Sequence, residues 1–460
     1  MWSLAEAVAR AGGRLEGEDR RFVSVGTDSR ADCSGQLFVA LRGERFDGHD
    51  HVAAARAAGA VAAMVDHPLP VDLPQWIVED TRSGLGALAA AWRDLFPGRI
   101  VAITGSNGKT TVKEMVAAIL GQVGSVRATR GNLNNDIGMP LTLLSARDEA
   151  FLVLEMGANH HGEIGYMTDI ARPDVALITN AGRAHLEGFG SVDGVARAKG
   201  EIARGLPTDG VFVFAGDSPY ADLWRELAED RRVLTFALED PADLREDLQA
   251  DLRADRSQIR VEWTEAGFGT HVVAHHDGKA IPIDLRLAGE HNARNALAAA
   301  ATALALGIAP GAIQAGLATL MPVKGRLYPH RCGEVGVIDD TYNANPDSIA
   351  AAIQVLAGLS GRRWLVLGDL AELGPEADAL HREIGERARD AGIDRLFSVG
   401  VLSMSATSAF GDGARHFTDQ GDLVRALRTA LSAGDRILVK GSRSARMEQV
   451  VEALCAVGES

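Results

Sequence analysis

Short, β-branched apolar runs recur along this chain, and between them apolar positions repeat at helical spacing. From residue 98 onward the runs at 100–104, 151–155, 175–179 and 211–214 predict strands alternating with helices, the pattern of a mostly parallel, doubly wound sheet. Ahead of them, Phe22–Val25, Leu37–Leu41, Val61–Val65 and Trp76–Val78 predict a smaller α/β unit with an alanine-rich helix near 51–58, closed by Pro97-Gly98. The stretch 238–288 is polar and alternating (Gln258–Trp263, His271–Ala274, Ile281–Leu287), which predicts an antiparallel appendage to the second unit. A long helix is expected from Glu290 to just before Gly307. After Met321-Pro322, strands at 335–339, 364–368, 395–399 and 436–440 alternate with helices near 348–358, 379–391 and 420–432, a second Rossmann-like pattern. The expectation is an α/β protein of three units, 1–97, 98–321 and 322–460.

Composition narrows this picture. At 460 residues the chain exceeds one ordinary core, and its 46% apolar and 24% charged residues are those of a soluble globular protein. A net charge of −15 provides no broad basic field, so neither nucleic acid nor an anionic membrane is an expected partner. It still permits an anionic small ligand, held by local cations and helix N-termini. The N-terminus Met1-Trp-Ser-Leu-Ala-Glu6 has no basic n-region or long apolar segment, and the alanine-rich helix 296–308 is too short to cross a bilayer. Cys33, Cys332 and Cys455 are odd in number and widely spaced, so neither a disulfide framework nor a metal knuckle is expected and a reducing cytoplasm fits.

The chemistry concentrates at the ends of the expected strands. Ile100-Val-Ala-Ile-Thr-Gly-Ser-Asn-Gly-Lys-Thr-Thr111 reads as strand, glycine turn and helix, with Val112, Met115, Val116, Ile119 and Leu120 on one helical face. Unpaired N–H groups and the helix dipole favour an anion there. Gly105 and Gly108 let the backbone wrap a phosphate, Lys109 can reach the β/γ oxygens, and a Thr hydroxyl can ligate Mg²⁺. The position four before Gly-Lys is Ile103 rather than glycine, so this is a shortened P-loop, and it predicts binding of a nucleoside triphosphate. Glu155 and His185 suit a divalent metal that also touches phosphate. Lys199 is either a solvated helix lysine or, beside such a metal, a neutral or carbamylated one. His291, Asn292 and Asn295 open the long helix on a shared flank, fitted either to an adenine edge or to capping and buried polar contact. Arg326, at the third-unit boundary, is either a surface arginine or one that swings onto a γ-phosphate.

In order along the chain, Gly105-Ser-Asn-Gly-Lys-Thr-Thr111, Glu155-Met-Gly-Ala158, Asn180 with His185, Lys199, Gly289-x-His-Asn-x-x-Asn295 and Gly325-Arg326 resemble the Mur ligases, ATP-dependent amide-forming enzymes of peptidoglycan precursor synthesis. Gly131-Asn-Leu-Asn-Asn-Asp-Ile-Gly-Met-Pro140, Asp340-Thr-Tyr-Asn-Ala-Asn-Pro346 and Gly368-Asp-Leu-Ala-Glu-Leu-Gly374 with His381 are similar to the member that joins D-alanyl-D-alanine to UDP-N-acetylmuramoyl-tripeptide. Thr27-Asp-Ser-Arg30 and Phe46-Asp-Gly-His49 are similar to its uridine-nucleotide unit.

The resemblance implies a central ATP-binding unit between a uridine-nucleotide unit and a dipeptide-binding C-terminal unit. It implies ATP on Gly105, Asn107, Gly108, Lys109, Thr110 and Thr111, with adenine read by Asn292 and Asn295, and Arg326 and Asp340 at the phosphate and ribose. Two Mg²⁺ ions are implied, on Thr111, Glu155, His185 and a carbamylated Lys199. Lys109, His185, Lys199 and Arg326 are thereby the implied catalytic set. The UDP-substrate is implied on Ser29, Arg30, Asn134 and Asn135, and the dipeptide on Asn343, Asn345, Lys440, Ser442 and Arg443. Ala215 and Leu327-Tyr328 depart from the family pattern at minor contacts. A cytoplasmic monomer acting on small molecules is expected. The competing readings are a folylpolyglutamate-type ligase, against which the uridine-type first unit argues, and a nucleotide-driven switch ATPase.

Overall fold

The computed structural model describes residues 2–43, 46–239, 250–264 and 267–456. Its first sheet comprises β1 (Arg14–Glu16), β2 (Ser24–Gly26), β3 (Gln36–Val39), β4 (Ala62–Val65) and β5 (Gln75–Ile77), in the order β1-β5-β4-β3-β2. The four expected strands are present. The first starts two residues late because Phe22 turns fully into the core instead of entering the ladder. Helices Leu4–Ala11 and Thr81–Arg93 complete the unit, each started by a capping side chain, Ser3 and Asp80.

The second sheet runs through β6 (Arg99–Thr104), β7 (Val126–Ala128), β8 (Phe151–Glu155), β9 (Val175–Ile178), β10 (Val211–Ala215), β11 (Arg232–Glu239), β12 (Leu252–Asp255), β13 (Arg260–Thr264), β14 (Gly267–His276) and β15 (Lys279–Leu285). Its order is β13-β14-β12-β11-β10-β9-β6-β8-β7, with β15 also on β14. The alternating stretch is indeed antiparallel, but it is continuous with the parallel sheet, because β14 pairs with β12 as well as with its two hairpin neighbours.

Along β6 the side chains divide between two cores. Ile100 and Ala102 face one, which they share with Trp76 and Leu88 of the first unit. Val101 and Ile103 face the other, under helices Lys109–Leu120 and Glu290–Ala305. Burial on both faces explains why the central strands read as unbroken apolar runs.

The third sheet contains β16 (Tyr328–Cys332), β17 (Val335–Asp340), β18 (Arg363–Gly368), β19 (Arg395–Val399), β20 (Ala414–Phe417) and β21 (Arg436–Lys440), ordered β16-β17-β21-β18-β19-β20. It is parallel except for β16. Helices Pro346–Ala357 and Ala377–Asp390 cover one core, and Gln420–Ala430 and Glu448–Cys455 the other.

One expectation is overturned here. Cys332 ends β16 and Cys455 ends the last helix; the fold pairs them as a disulfide, Cα atoms 4.6 Å apart across a separation of 123 residues. Spacing along the chain carried no sign of this, because packing the last helix on the antiparallel edge brings remote residues together. Cys33 is free and buried. Among the described residues, no helix is long and apolar enough to cross a membrane.

Because the first two sheets share one apolar core, a fragment ending at Pro322 is expected to fold and to unfold in a single calorimetric transition. A fragment beginning at Gly98 is expected to expose that core and bind the dye ANS. Two resolved transitions in the first fragment would contradict the shared core.

Candidate active site

Beyond the carboxyl end of β6 the chain makes a tight turn into helix Lys109–Leu120. Gly105 and Gly108 adopt φ of +146° and +81°. A Cβ on them would lie 2.0 Å from Thr179 Oγ1 and 2.5 Å from Asn295 Oδ1, so both positions need glycine for space as well as for φ. The turn is clamped from the neighbouring strand end. Asn180 Oδ1 accepts the Asn107 N–H at 2.9 Å, while Asn180 Nδ2 and Thr179 Oγ1 donate to the Asn107 carbonyl at 3.0 and 2.6 Å. Lys109 Nζ folds back to donate to the Gly105 carbonyl at 2.6 Å. Burial lowers the Lys109 pKa, and the Glu155 charge opposes that shift.

Glu155, at the end of β8, is 3% exposed. Its Oε1 accepts from Asn134 Nδ2 at 2.9 Å, and its Oε2 is buried without a hydrogen-bond partner. A buried carboxylate oxygen left unpaired is costly unless a cation meets it, so this site fits a metal ion. Asn135 faces the other way along the chain, where its Oδ1 accepts the Gly138 N–H at 2.9 Å and so steadies the start of helix Gly138–Ser145.

His185, at φ +54°, stands 2.7 Å from Glu372 through Nδ1, without the alignment of a hydrogen bond. Burial and then the Lys109 charge lower its pKa, so its neutral, metal-binding form is favoured. Lys199 is no solvated lysine. It is 1% exposed on helix Val192–Gly200, with Nζ 5.1 Å over the Phe189 ring. Burial, reinforced by Lys109, lowers its pKa to about 7 against the pull of Glu163 and Glu201.

On the long helix, Asn295 Nδ2 donates to Asn292 Oδ1 at 3.1 Å and Asn292 Nδ2 to the Ala288 carbonyl at 2.7 Å. These amides are partnered as well as placed against the glycine turn.

The third unit closes the site. Arg326 donates to Thr110 Oγ1 at 3.0 Å and lies 4.2 Å over the Tyr342 ring. Asn345 caps helix Pro346–Ala357 and donates through Nδ2 to Asn107 Oδ1 at 2.8 Å. Lys440, 2% exposed, donates to Asp340 Oδ2 at 2.6 Å and to the Asn343 carbonyl at 3.1 Å. Ser442 Oγ donates to the Asp369 carbonyl at 2.7 Å, beside Arg443.

Almost all of these groups line one cavity of about 1170 Å³ between the second and third sheets. Lys109, Thr111, Asn134, Glu155 and His185 enter it from the central unit, and Arg326, Asn343, Asn345, Lys440 and Arg443 from the third. Gly105 and Lys199 lie behind its wall. Ser29 and Arg30 lie apart from it, after β2, where Arg30 forks onto Asp28 at 2.8 and 2.9 Å. Sequence reasoning missed Tyr342, Glu372, Arg183 and Asp347, which also line the cavity. The contacts of Glu372, Arg183 and Asp347 cross between units, beyond any local pattern, while Tyr342 lies under Arg326 within the third unit. His185, Leu327 and Glu372 hold left-handed φ without being glycine, and all three border the cavity, as strained backbone at working sites does.

The chain matches family models over most of its length: the Mur ligase family catalytic domain at 21–93, the Mur ligase middle domain at 103–303 and the Mur ligase glutamate ligase domain at 325–443. It is 46% identical to the UDP-N-acetylmuramoyl-tripeptide--D-alanyl-D-alanine ligase of Escherichia coli, over 98% of both chains. The chain is a Mur ligase. It is also 37% identical to the Bacillus subtilis enzyme of the same name, over 98% of this chain and 97% of that protein. Among solved structures, MurF from Acinetobacter baumannii superposes with a TM-score of 0.91 at 35% identity over 99% of each chain. MurF from Thermotoga maritima, solved with ADP, superposes at 0.82 and 29% identity, over 94% of this chain and 97% of that one. A Mycobacterium tuberculosis folylpolyglutamate synthase shares the fold alone, at 20% identity and a TM-score of 0.60 over 82% of this chain and 93% of that one.

In this Mur ligase the His291 pKa is depressed to about 4, first by burial and opposed by Asp340. The unfolded chain takes up that proton near pH 6.5, whereas the native state resists it until about pH 4. The contribution to stability is therefore complete above pH 6.5 and is lost as pH falls toward 4. Replacing His291 with Gln is expected to flatten the pH dependence of urea-unfolding stability across that window and leave its slope above pH 7 unchanged.

Proposed function

We propose that this Mur ligase joins D-alanyl-D-alanine to UDP-N-acetylmuramoyl-tripeptide at the expense of ATP, releasing ADP and phosphate. The observation that carries the reading is the single cavity in which the Lys109 turn meets Arg326, Asn343 and Lys440 of the third unit, in a chain 46% identical throughout to a ligase of that name. ATP would lie on the 105–111 turn, its adenine near Asn292 and Asn295 and its phosphate and ribose toward Arg326 and Asp340. The UDP moiety would lie on the first unit at Ser29 and Arg30, with Asn134 and Asn135 along the path to the phosphates. Asn343, Asn345, Lys440, Ser442 and Arg443 would border the dipeptide. The three units, 1–97, 98–321 and 322–460, would thus hold acceptor, ATP and amine respectively.

The tripeptide carboxylate is a poor electrophile. Its oxygen attacks the γ-phosphorus, ADP leaves, and an acyl phosphate results. The dipeptide amine then attacks the acyl carbon, loses a proton and expels inorganic phosphate. Carboxylate and triphosphate repel each other, so the main work of Lys109 and Arg326 is to neutralise charge and fix the line of attack. Thr111, Glu155, His185 and a carbamate on Lys199 would hold two Mg²⁺ ions, which supply further neutralisation of the phosphate oxygens. The unpaired Glu155 Oε2 supports that fit. A buried amine over an aromatic ring, unencumbered by a positive charge, can add CO₂ and release a proton. The enzyme is read as a cytoplasmic monomer acting on small molecules, with no nucleic-acid partner.

Phosphate release measured with ATP, UDP-N-acetylmuramoyl-tripeptide and D-alanyl-D-alanine, omitting each in turn, tests the reaction. Release that continues without either acceptor would point to a plain ATPase. Lys109→Ala is expected to lower kcat on the order of 10³-fold; near-normal turnover would remove the phosphate role of this turn. Lys199→Ala is expected to be nearly inactive and partly restored by a short carboxylate such as formate. Substantial activity in Lys199→Arg, with no carboxylate rescue of Lys199→Ala, would rule the carbamate out, because arginine keeps the charge but cannot carry CO₂.

A further inference from the structure

The segment after β9 has Asn180 at one end, clamping the glycine turn, and His185 at the other. Between them Arg183 leaves the central unit and enters the third. Its Nε donates to Asp347 Oδ1 at 2.8 Å and its own backbone N–H to Asp347 Oδ2 at 2.7 Å. Its Nη1 donates to Glu383 Oε2 at 2.8 Å. Asp347 lies in the first turn of helix Pro346–Ala357, shortly after the Asn345 that bonds the glycine turn, and Glu383 lies on helix Ala377–Asp390. One guanidinium therefore ties two helices of the third unit to the central unit.

The fit is close. A Cβ on Gly182 would lie 2.6 Å from Asp347 Oδ2, so a larger residue there would push that carboxylate away from its bonds to Arg183. The side chains of Arg183, Asp347 and Glu383 keep 25%, 35% and 31% of their exposure, which puts the cluster in the seam between the units. The two carboxylates raise the guanidinium pKa against its desolvation, and Arg183 holds the Glu383 carboxyl below its ordinary range. Charge-assisted, forked bonds of this kind are stronger and more directional than single surface pairs.

Three other polar contacts cross the seam around the cavity: Arg326 to Thr110, Asn345 to Asn107 and His185 to Glu372. In each of them one partner has a part in the proposed chemistry. Arg183, Asp347 and Glu383 have none. Their contact exists only while the third unit is closed on the central one, and it consists of protein groups alone.

We propose that Arg183 is a closure latch, a positioning residue that sets the fraction of molecules whose dipeptide pocket is assembled over the glycine turn. The inference rests on the ligase reading for its kinetic consequence, and on the geometry alone for its conformational one. Loss of the latch lowers the closed fraction, and apparent affinity for a ligand that needs the closed state falls in the same proportion.

The test compares wild type with Arg183→Ala, Arg183→Lys and Glu383→Gln, by solution X-ray scattering of the full chain alone and by steady-state phosphate release. Arg183→Ala is expected to increase the radius of gyration and to raise the KM for D-alanyl-D-alanine about tenfold, while kcat at saturation falls far less. Arg183→Lys, one point charge facing two carboxylates, and Glu383→Gln, which removes one arm, are expected to fall between. Added salt should raise the wild-type KM more steeply than that of Arg183→Ala, since the latch is one of the charged contacts that salt screens. Wild-type scattering and an unshifted KM in Arg183→Ala would overturn the proposal. Should that variant fail to fold, the same two results in Glu383→Gln, altered only on a partly exposed helix face, would overturn it equally. A wild-type enzyme whose phosphate release ignores the dipeptide would refute the ligase reading, and scattering would still decide the latch.

Discussion

The structure depends on one local constraint: the first N–H groups of helix Lys109–Leu120 must be left free to face an anion, and the turn before them must hold still without one. A helix start normally borrows a side chain from its own chain to satisfy those groups. Here the residue preceding the helix is Gly108, which has no side chain to give. Order comes from outside instead. Thr179 and Asn180 grip the Asn107 peptide from β9, Asn345 reaches its side chain from the third unit, and Asn295 fills the space a Cβ would take. Strand order follows from this need, since β9 must lie beside β6 for Asn180 to reach.

Electrostatics in the cavity follow from the same arrangement. An acidic protein gathers Lys109, Arg326, Lys440 and Arg443 around one space, and tempers each differently. Lys440 is paired with Asp340, Arg326 is stacked on the Tyr342 ring, Arg443 faces Glu448 at 3.8 Å, and Lys109 is folded onto a carbonyl. Lys199 and His185 are kept toward neutrality by burial and by the Lys109 charge. The result is positive charge where phosphate would sit and unpaired ligand atoms where metal would sit, in one cavity.

Much of the fold was legible because buried parallel strands must be apolar on both faces. Each core strand expected in the second and third units is present, displaced by a residue at most. What escaped were the edge strands β1, β7, β16 and β20, the strands β11 and β12 beyond the expected four, and the helices Leu4–Ala11, Thr81–Arg93, Pro310–Ala318, Met404–Phe410 and Glu448–Cys455, pieces whose burial is decided elsewhere. The site residues legible from the chain were those whose spacing encodes their geometry, such as the turn 105–111 and the pair Asn292 and Asn295. Glu372, Asp347 and Glu383 were not, since nothing near them in sequence tells that an arginine or histidine from another unit will arrive. The burial of Lys199 was equally hidden, because its helix reads as polar until Phe189 and Trp224 pack against it.

The unequal seams between the units bear on how such an enzyme diversifies. The first and second sheets are welded by a common apolar core, so neither can be exchanged without rebuilding the other. The third is attached chiefly through a handful of polar side chains and a smaller apolar contact of Trp263, Phe268 and Ala288. A lineage can therefore graft a different C-terminal module onto the same activating body, keeping the acyl-activation half-reaction intact while trying out new nucleophiles, and needs to conserve little more than the points at which the graft bolts on.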